Sequence, residues 1–391
     1  MPNKTMDSNS LNCNLGQHSE LPAHIQFTQS LSCLIEGSLS DSTAQSLTLG
    51  QLLNLSDEKN DQFNELELSY APLKGGIKLR KAIAQFHDKL NHHQSPLNEN
   101  NVLTFCGAQE ALASIYQCLL APDDEIIVVT PSYPSLVTMA EKRGCVVKKI
   151  ELSAQQKWQL NIEDFKSNIT DKTKLIVLNS PHNPTGSVID SDLAEQILSL
   201  AKAYDCYVLA DDVSQASNYN NLSLSHRFLD YEKAIVVSVM SKSFGLAGLR
   251  IGWAISKNED LLSQLLGVKS VGSICCSVID EAAAELALRH SDKVINQNNQ
   301  LIRTNIEIFQ TFVDEHQDLF HWHPPQAGIL ALVEVKNVSS IGLWARDLAD
   351  KTGILLLPAT LFGLSGNYFR LGLGKNNFKY LLTKFSAFLK S

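Results

Sequence analysis

The chain has 391 residues, of which 44% are hydrophobic and 19% are charged, as in a globular protein with one large domain and a smaller one. Its formal net charge of −8 at pH 7 excludes the basic surface that nucleic-acid recognition requires, so we expect a small-molecule ligand. The first twenty residues lack the pattern of a signal peptide, and no window has the length of a membrane span. These features favour a cytoplasmic protein that has no membrane partner.

From about residue 76 the chain alternates between helical stretches and short apolar strands. The run GIKLRKAIAQFHDKL predicts an amphipathic helix, NVLTF a strand, AQEALASIYQCLLA a helix and EIIVVTP a second strand. The same rhythm continues through VVKKIEL, KLIVLNSP, DLAEQILSLAKAYD, CYVLADD and AIVVSVMS. This order predicts an α/β fold whose mostly parallel sheet is sandwiched by helices.

The pattern changes after residue 285, where long helical stretches precede a shorter αβ region with ILALVEV, GILLLP and YFRLGLG. We therefore predict a second, smaller αβ domain over residues 286–391, after a large domain over residues 49–285. The Ser- and Asn-rich residues 1–48 are expected to form an N-terminal arm and to complete part of the small domain.

Polar residues follow the predicted strands in CGAQE, PSYPS, NSPHNPTG, ADDVSQ and MSKSFGLAGLR. Ligands of such sheets bind beyond the carboxyl ends of the strands, where these residues would meet. Lys242 alone could be a surface charge at a turn, but Asp211 and Arg250 fall at the same predicted edge. Together they indicate a ligand site.

An aldehyde-bearing pyridine phosphate would use each of these groups. A desolvated lysine near cations has a lowered pKa and can form a Schiff base with the aldehyde. We assign this role to Lys242. The pyridine nitrogen requires a carboxylate, for which Asp211 is suited. The phosphate requires N–H groups at a helix start and a fixed cation. The candidates for that role are Gly107, Ala108, Gln109, Ser241 and Arg250.

The chain resembles the fold type I aminotransferase family, class I/II. The resemblance runs from YAPLKGG near residue 70 to FRLGLG near residue 374, and NSPHNPTG and SKSFGLAGLRIGW are its most specific signals. It implies a fold type I PLP-dependent transferase with pyridoxal 5'-phosphate (PLP) on Lys242, in the large domain. It also implies a small amino-acid substrate.

The resemblance assigns roles to four further residues. Tyr133 resembles the aromatic residue that stacks on the cofactor ring, although it could simply be a packing residue. Asn183 resembles the asparagine that hydrogen-bonds the ring hydroxyl beside the substrate, and Arg370 the arginine that binds the substrate α-carboxylate. Tyr70 resembles the tyrosine that reaches the phosphate of the other subunit, which implies a homodimer with shared active sites.

The chain departs from the family pattern after the pyridine-binding aspartate. Family aminotransferases usually have Asp-Glu-x-Tyr there, but this chain has Asp211, Asp212, Val213 and Ser214. Serine is too short to replace the tyrosine directly, so Ser214 beside the cofactor indicates either sequence drift or a change of reaction. Val239 also replaces a serine that many members have.

The run around Val239 resembles a branch that includes capreomycidine synthase and the arginine oxidase of indolmycin biosynthesis. Some members of that branch act on arginine or its derivatives and do not transaminate. In the oxidases, an external aldimine yields a quinonoid that reacts with dioxygen. The chain is therefore predicted to oxidise L-arginine in specialised metabolism; the alternatives are a conventional aminotransferase that uses a 2-oxo acid, and a PLP-binding regulator without activity.

Two residues keep open roles. His24 is either a surface or packing residue or an acid–base group over the substrate. Asp212 either supports a site residue or meets a cationic substrate side chain. No Cys/His/carboxylate cluster has metal-ligand spacing, so no metal is expected.

Overall fold

The computed structural model describes residues 21–56, 61–91, 94–224 and 228–390, so the first twenty residues of the predicted N-terminal arm lie outside the described residues. Within these ranges the strands are β1 Gly37–Ser38, β2 Val102–Phe105, β3 Glu125–Thr130, β4 Val146–Glu151, β5 Thr173–Asn179, β6 Tyr207–Asp211, β7 Ala234–Val239, β8 Gly252–Ile255, β9 Phe320–Trp322, β10 Leu330–Val335, β11 Ile354–Leu355, β12 Leu357–Pro358 and β13 Tyr368–Gly372. The α-helices are α1 Ala23–Gln29, α2 Leu49–Leu53, α3 Asp61–Asn64, α4 Ile77–Asn91, α5 Ala108–Leu119, α6 Ser135–Lys142, α7 Ile162–Asn168, α8 Ser191–Ala203, α9 Glu259–Ser270, α10 Val278–Arg289, α11 Ser291–Glu315, α12 Ile341–Thr352 and α13 Phe378–Leu389.

The large sheet of the described chain has seven strands in the order β2-β8-β7-β6-β5-β3-β4. Strands β7, β6, β5, β3 and β4 pair in parallel, whereas β8 is antiparallel to both of its neighbours, β2 and β7. The predicted mostly parallel sheet is confirmed. The short run GWAI of β8 was not recognised as a strand, because it lies within the conspicuous SKSFGLAGLRIGW motif.

Both faces of the large sheet are buried, which explains its continuous apolar strands. In β6, Val208 and Ala210 belong to the apolar cluster that contains α4, α8 and α10, whereas Leu209 belongs to the cluster that contains α5 and α9. Neighbouring residues of a strand point to opposite faces, so helices cover the sheet on both sides. The predicted sandwich is thus the observed one.

The smaller αβ part contains a four-stranded antiparallel sheet, in the order β12-β13-β10-β9, and the parallel pair β1-β11. The single strand expected from GILLLP is divided between these two sheets. Residues 354–355 pair with β1, whereas residues 357–358 pair with β13. The Ser40 hydroxyl accepts a hydrogen bond from the Leu357 backbone N–H at the point of division.

Residues 39–45, which we call the crossing segment, connect the two parts of the fold. At one end the Gly372 N–H donates to the carbonyl of Leu39, and at the other the Ala44 N–H donates to the carbonyl of Lys242. A Cβ atom at Gly245, Gly372 or Gly374 would overlap the backbone of this segment. These glycines therefore allow the segment to run directly between β13 and the loop after β7.

None of the helices in the described part of the chain combines the length and apolar character needed to cross a bilayer. Among the described residues, no group of three or more His, Cys, Asp or Glu side chains is arranged to hold a metal ion.

Candidate active site

A cavity of about 170 Å³ lies beyond the carboxyl ends of β2, β5, β6 and β7. Strands that run in one direction bring the residues after them to one edge of the sheet, as the sequence predicted. Nine of the predicted site residues line the cavity: Ala108, Gln109, Tyr133, Asn183, Asp211, Ser214, Ser241, Lys242 and Arg250. Four others, Gly107, Arg370, His24 and Tyr70, lie outside its lining.

The N-terminus of α5 forms one end of the cavity. Gly107 precedes the helix with φ 95° and provides no side-chain cap, so the first helical N–H groups are directed to the cavity without an intrahelical partner. The positive φ explains the glycine, and the absence of a Cβ lets Nη2 of Arg250 come close, since a Cβ there would lie 2.5 Å from it. This pairing of free N–H groups with a guanidinium suits a phosphate.

Lys242 lies in the loop after β7, next to the buried Ser241. Its Nζ donates a hydrogen bond of 2.8 Å to the hydroxyl of Ser42 in the crossing segment. Burial, followed by the positive charge of Arg370, lowers the pKa of Lys242 to about 8. About a tenth of this amine is therefore neutral, and nucleophilic, at pH 7, far more than for an ordinary lysine.

Asp211 is the last residue of β6 and is buried. Burial raises the pKa of its carboxyl group to about 7. Asn179 donates from its side chain to the Asp211 carbonyl at 2.8 Å, and the Asn179 Oδ1 accepts the Asn183 N–H at 2.7 Å. A protonated pyridine nitrogen would supply the positive charge that this buried carboxylate lacks.

Arg370 lies in β13 and is buried with one donor unused. Its Nη2 donates to the Ser40 carbonyl at 2.9 Å, and its Nη1 lies 3.5 Å from the Asn183 Oδ1. The guanidinium carbon lies 4.5 Å from the centroid of the Phe362 ring. The buried Nε has no hydrogen-bond partner among the described residues. The guanidinium as a whole has the planar geometry that suits a carboxylate.

His24 lies in α1, against the aromatic residues of the site. Its ring stacks on Phe362 at 6.2 Å and is tilted toward Tyr133 at 5.8 Å. Burial, followed by the charges of Arg370 and Lys242, lowers the pKa of His24. The residue packs at the edge of the site, with its Nδ1 buried and without a hydrogen bond in the described structure, and its role toward the substrate stays a prediction.

Tyr70 is 85% exposed and lies on the outer surface of the chain. It does not line the cavity of its own chain. Its predicted contact with the phosphate of a partner subunit remains a prediction.

The sequence analysis missed three residues that the structure brings to the site. Ser42 bonds Lys242, Asn179 links Asp211 to Asn183, and Phe362 lies between His24 and Arg370. Asn179 could have been found, because it ends a predicted strand in the NSPHNPTG motif. Ser42 carries no signal, since it is one of many serines before residue 50.

A model of the family described as aminotransferase class I and II matches residues 48–385 of the chain. The chain belongs to this family. Members of the class I and II aminotransferases depend on PLP, so this chain is a PLP-dependent enzyme, as the sequence predicted. The free N–H groups of α5, the Asp211 carboxylate and the Lys242 amine fit the phosphate, ring nitrogen and aldehyde of that cofactor.

Individual relatives within the class I and II aminotransferases are distant. Histidinol-phosphate aminotransferase of Methanococcus aeolicus is 31% identical over 277 residues, which cover 71% of this chain and 72% of that protein. Capreomycidine synthase of Streptomyces vinaceus is 25% identical over 327 residues, 83% of this chain and 82% of that one. A PLP-dependent aminotransferase structure from Streptococcus suis has a TM-score of 0.87 at 24% identity and covers 96% and 98% of the two chains. This last likeness confirms the fold type I architecture.

The departures from the aminotransferase pattern lie inside the cavity. Ser214 and Val239, which replace the tyrosine and the serine of the family pattern, both belong to its lining. Ser214 occupies the sequence position where the family pattern has a tyrosine, so the wall of the cavity has a short hydroxyl there and no phenol ring. The substitution therefore changes the surroundings of the cofactor.

Proposed function

We propose that this chain removes the Cα proton of an L-α-amino acid, with PLP carried on Lys242. The observation that carries the proposal is the half-buried Lys242 amine, which shares one cavity with Asp211 and with the N-terminus of α5. When bound, PLP supplies an aldehyde that reacts with amines and a ring that accepts electrons from the substrate Cα.

The side chains of the cavity have separate tasks in this reaction. Arg370 binds the substrate α-carboxylate through its planar guanidinium, and so orients the Cα–H bond. Lys242, whose pKa is about 8, accepts the Cα proton in its neutral form. Asp211 accepts a hydrogen bond from the ring N–H and keeps that proton in place.

We further propose that the overall reaction of this chain is the oxidation of L-arginine by dioxygen. The amino acid loses two electrons and two protons to become an imine, while dioxygen gains them and becomes hydrogen peroxide. Water then hydrolyses the imine to a 2-oxo acid and ammonia. Two observations support this assignment. The 25% identity to capreomycidine synthase connects the chain to the branch that the run around Val239 resembles, and Ser214 in the cavity departs from the ordinary aminotransferase pattern.

The charge around the cavity supports a cationic substrate side chain. The carboxylate of Asp41 lies near enough to raise the pKa of both Lys242 and Arg370, against the larger lowering effect of burial. It is 38% exposed and lies 3.4 Å from Lys375. A guanidinium that extends from the cavity would compete with Lys375 for this carboxylate.

A conventional aminotransferase is the second candidate. The 31% identity to a protein named histidinol-phosphate aminotransferase favours it. The same Lys242, Asp211 and Arg370 would then serve both halves of an amino-group transfer. The two candidates differ in what takes the electrons from the substrate and in where its amino group goes.

A homodimer with shared active sites is part of the proposal. Tyr70 is close in sequence to other exposed apolar side chains, Leu68 at 73% and Ile77 at 53% exposure, and Val271 is 84% exposed as well. Exposed apolar surface of this kind favours association. A second copy of the chain would bury it and would bring Tyr70 to the neighbouring cavity.

Purified PLP-loaded protein should be incubated with L-arginine, L-norleucine or L-lysine, with and without dioxygen and with and without a 2-oxo acid. We expect peroxide and ammonia from arginine in the presence of dioxygen alone. Turnover that requires a 2-oxo acid and ignores dioxygen would establish the aminotransferase instead. An absence of Cα–H exchange in D₂O with every amino acid would refute the proposed function as a whole.

A further inference from the structure

Ser42 makes a direct contact with the reactive amine. Its hydroxyl oxygen lies 2.8 Å from the Nζ of Lys242, and its side chain lines the same cavity. Ser42 is 200 residues away from Lys242 in the sequence and belongs to no motif of the family. The region that matches the family model begins at residue 48, after this serine.

The crossing segment is fixed next to Ser42. Asp41 accepts hydrogen bonds from the Thr43 N–H at 2.9 Å and from the Thr43 hydroxyl at 2.8 Å. Lys375 donates to the Thr43 hydroxyl at 2.7 Å and to the Ala44 carbonyl at 2.9 Å. The backbone that carries Ser42 is thus fixed on its C-terminal side by Thr43 and Ala44.

Lys242 and the crossing segment are also joined by backbone. The Ala44 N–H donates to the Lys242 carbonyl at 3.1 Å, so both ends of the lysine contact the same short stretch of chain. A flexible lysine side chain has many rotamers, and a fixed acceptor at its end selects one of them. The position of the amine is therefore set by a residue outside the motif that carries it.

We infer that Ser42 is a positioning residue that holds the Lys242 amine beside the substrate Cα whenever that amine is not bonded to the cofactor. The inference rests on the proposed function only in assigning the Cα proton to Lys242. Nothing is transferred to Ser42, because its hydroxyl only accepts a hydrogen bond from the amine. Displacement of a catalytic group by about 1 Å can cost about a hundredfold in rate, so such a contact has a measurable effect.

The inference makes a prediction for the protein without PLP. A hydrogen bond from the ammonium form of Lys242 to Ser42 stabilises the charged form. We expect Ser42→Ala to remove it and to lower the pKa of Lys242 by about 0.5 to 1. Competitive acetylation of the full-length apoprotein between pH 6 and 10, followed by peptide mass spectrometry, measures this pKa, with the exposed Lys166 as the internal reference.

The loaded enzyme provides the second measurement. We expect Ser42→Ala to lower kcat by about ten- to a hundredfold while KM for the amino acid changes little, because Arg370 still binds the carboxylate. Ser42→Thr retains the hydroxyl and should restore most of kcat and the pKa. Ser46→Ala is the matched control, since Ser46 is an exposed serine of the same stretch of chain.

The outcomes separate this inference from the proposed function. If Ser42→Ala leaves the Lys242 pKa and kcat unchanged, the inference is wrong. It is also wrong if Ser42→Ala and Ser42→Thr lose kcat equally and both have lowered melting temperatures, because the loss would then come from instability. If the native enzyme acts on no amino acid, the proposed function fails, but the apoprotein titration still decides whether Ser42 holds the amine.

Discussion

The cavity has two walls that differ in how the sequence encodes them. One wall is the edge of the large sheet, where Asp211 and Lys242 follow strands and lie within recognisable motifs. The other wall is the crossing segment, where Ser42 and the carbonyl of Ser40 reach Lys242 and Arg370 from a serine-rich stretch without a motif. The comparison shows that the strand ends supply the reactive groups, whereas an irregular segment sets their positions.

The largest expected effect comes from the sheet wall. Lys242→Ala should lower turnover by about a thousandfold or more, because it removes both the cofactor attachment and the proton acceptor. Borohydride treatment followed by intact mass spectrometry should find no PLP adduct on the variant. Lys166→Ala, on the exposed surface of α7, serves as the control and should keep the adduct. A full-strength adduct in Lys242→Ala would contradict the entire account of the site.

Arg370 contacts both walls, so its replacement tests how they cooperate. Arg370→Lys should raise KM for the amino acid by about ten- to a hundredfold, because an ammonium cannot present the planar fork that binds a carboxylate while it bonds Ser40. The measurement is steady-state kinetics over a range of substrate concentrations. Arg346→Lys, at a stacked arginine over the Phe27 ring away from the cavity, is the control. Equal KM values in the two variants would show that Arg370 does not bind substrate.

Replacement of Gly245, which packs against the crossing segment, tests how tightly that segment is held. Gly245→Ala forces φ 69° on an alanine and places a Cβ against the Gln45 carbonyl, whereas Gly363→Ala has φ 84° with open space around the Cβ. Both substitutions cost about 1–3 kcal/mol of backbone strain. Only Gly245→Ala adds a steric clash with the backbone. We therefore expect its free energy of unfolding to fall by about 1–3 kcal/mol more than that of Gly363→Ala, and its activity to fall as well.

Thermal unfolding of the two glycine variants, with kcat measured on each, provides this comparison. If Gly245→Ala and Gly363→Ala lose the same stability and keep the same activity, the crossing segment is not held tightly by its contact with the loop after β7.

The smallest expected effect concerns His24. Its ring contributes aromatic contacts of about 0.5–1.5 kcal/mol, so His24→Gln should reduce kcat/KM by about two- to tenfold. Because its pKa is lowered, the ring is neutral throughout the range above its ordinary value, and the variant should leave the pH profile above pH 7 unchanged. A much larger loss, with a new limb in the pH profile, would show that His24 takes part in proton transfer.

The sequence predicted the part of the fold in which strands and helices alternate regularly. The alternation of strands and helices predicted the mostly parallel sheet, and the residues that follow its strands were predicted to meet, as Asp211 and Lys242 do. The division of GILLLP between two sheets could not be predicted from a local pattern, because β11 pairs with β1, which lies 317 residues earlier in the chain. The role of Ser42 was equally hidden, since it depends on where the chain passes and not on a local pattern.

The crossing segment lies before the region that matches the family model, so a truncation designed from that match would remove it. A chain cut to begin at Thr48 would keep every residue of the family match, from 48 to 385. It would nevertheless lose the hydroxyl that orients the Lys242 amine and the carbonyl that holds Arg370. The shortest polypeptide that still carries all the family's motifs would therefore contain an incomplete catalytic centre.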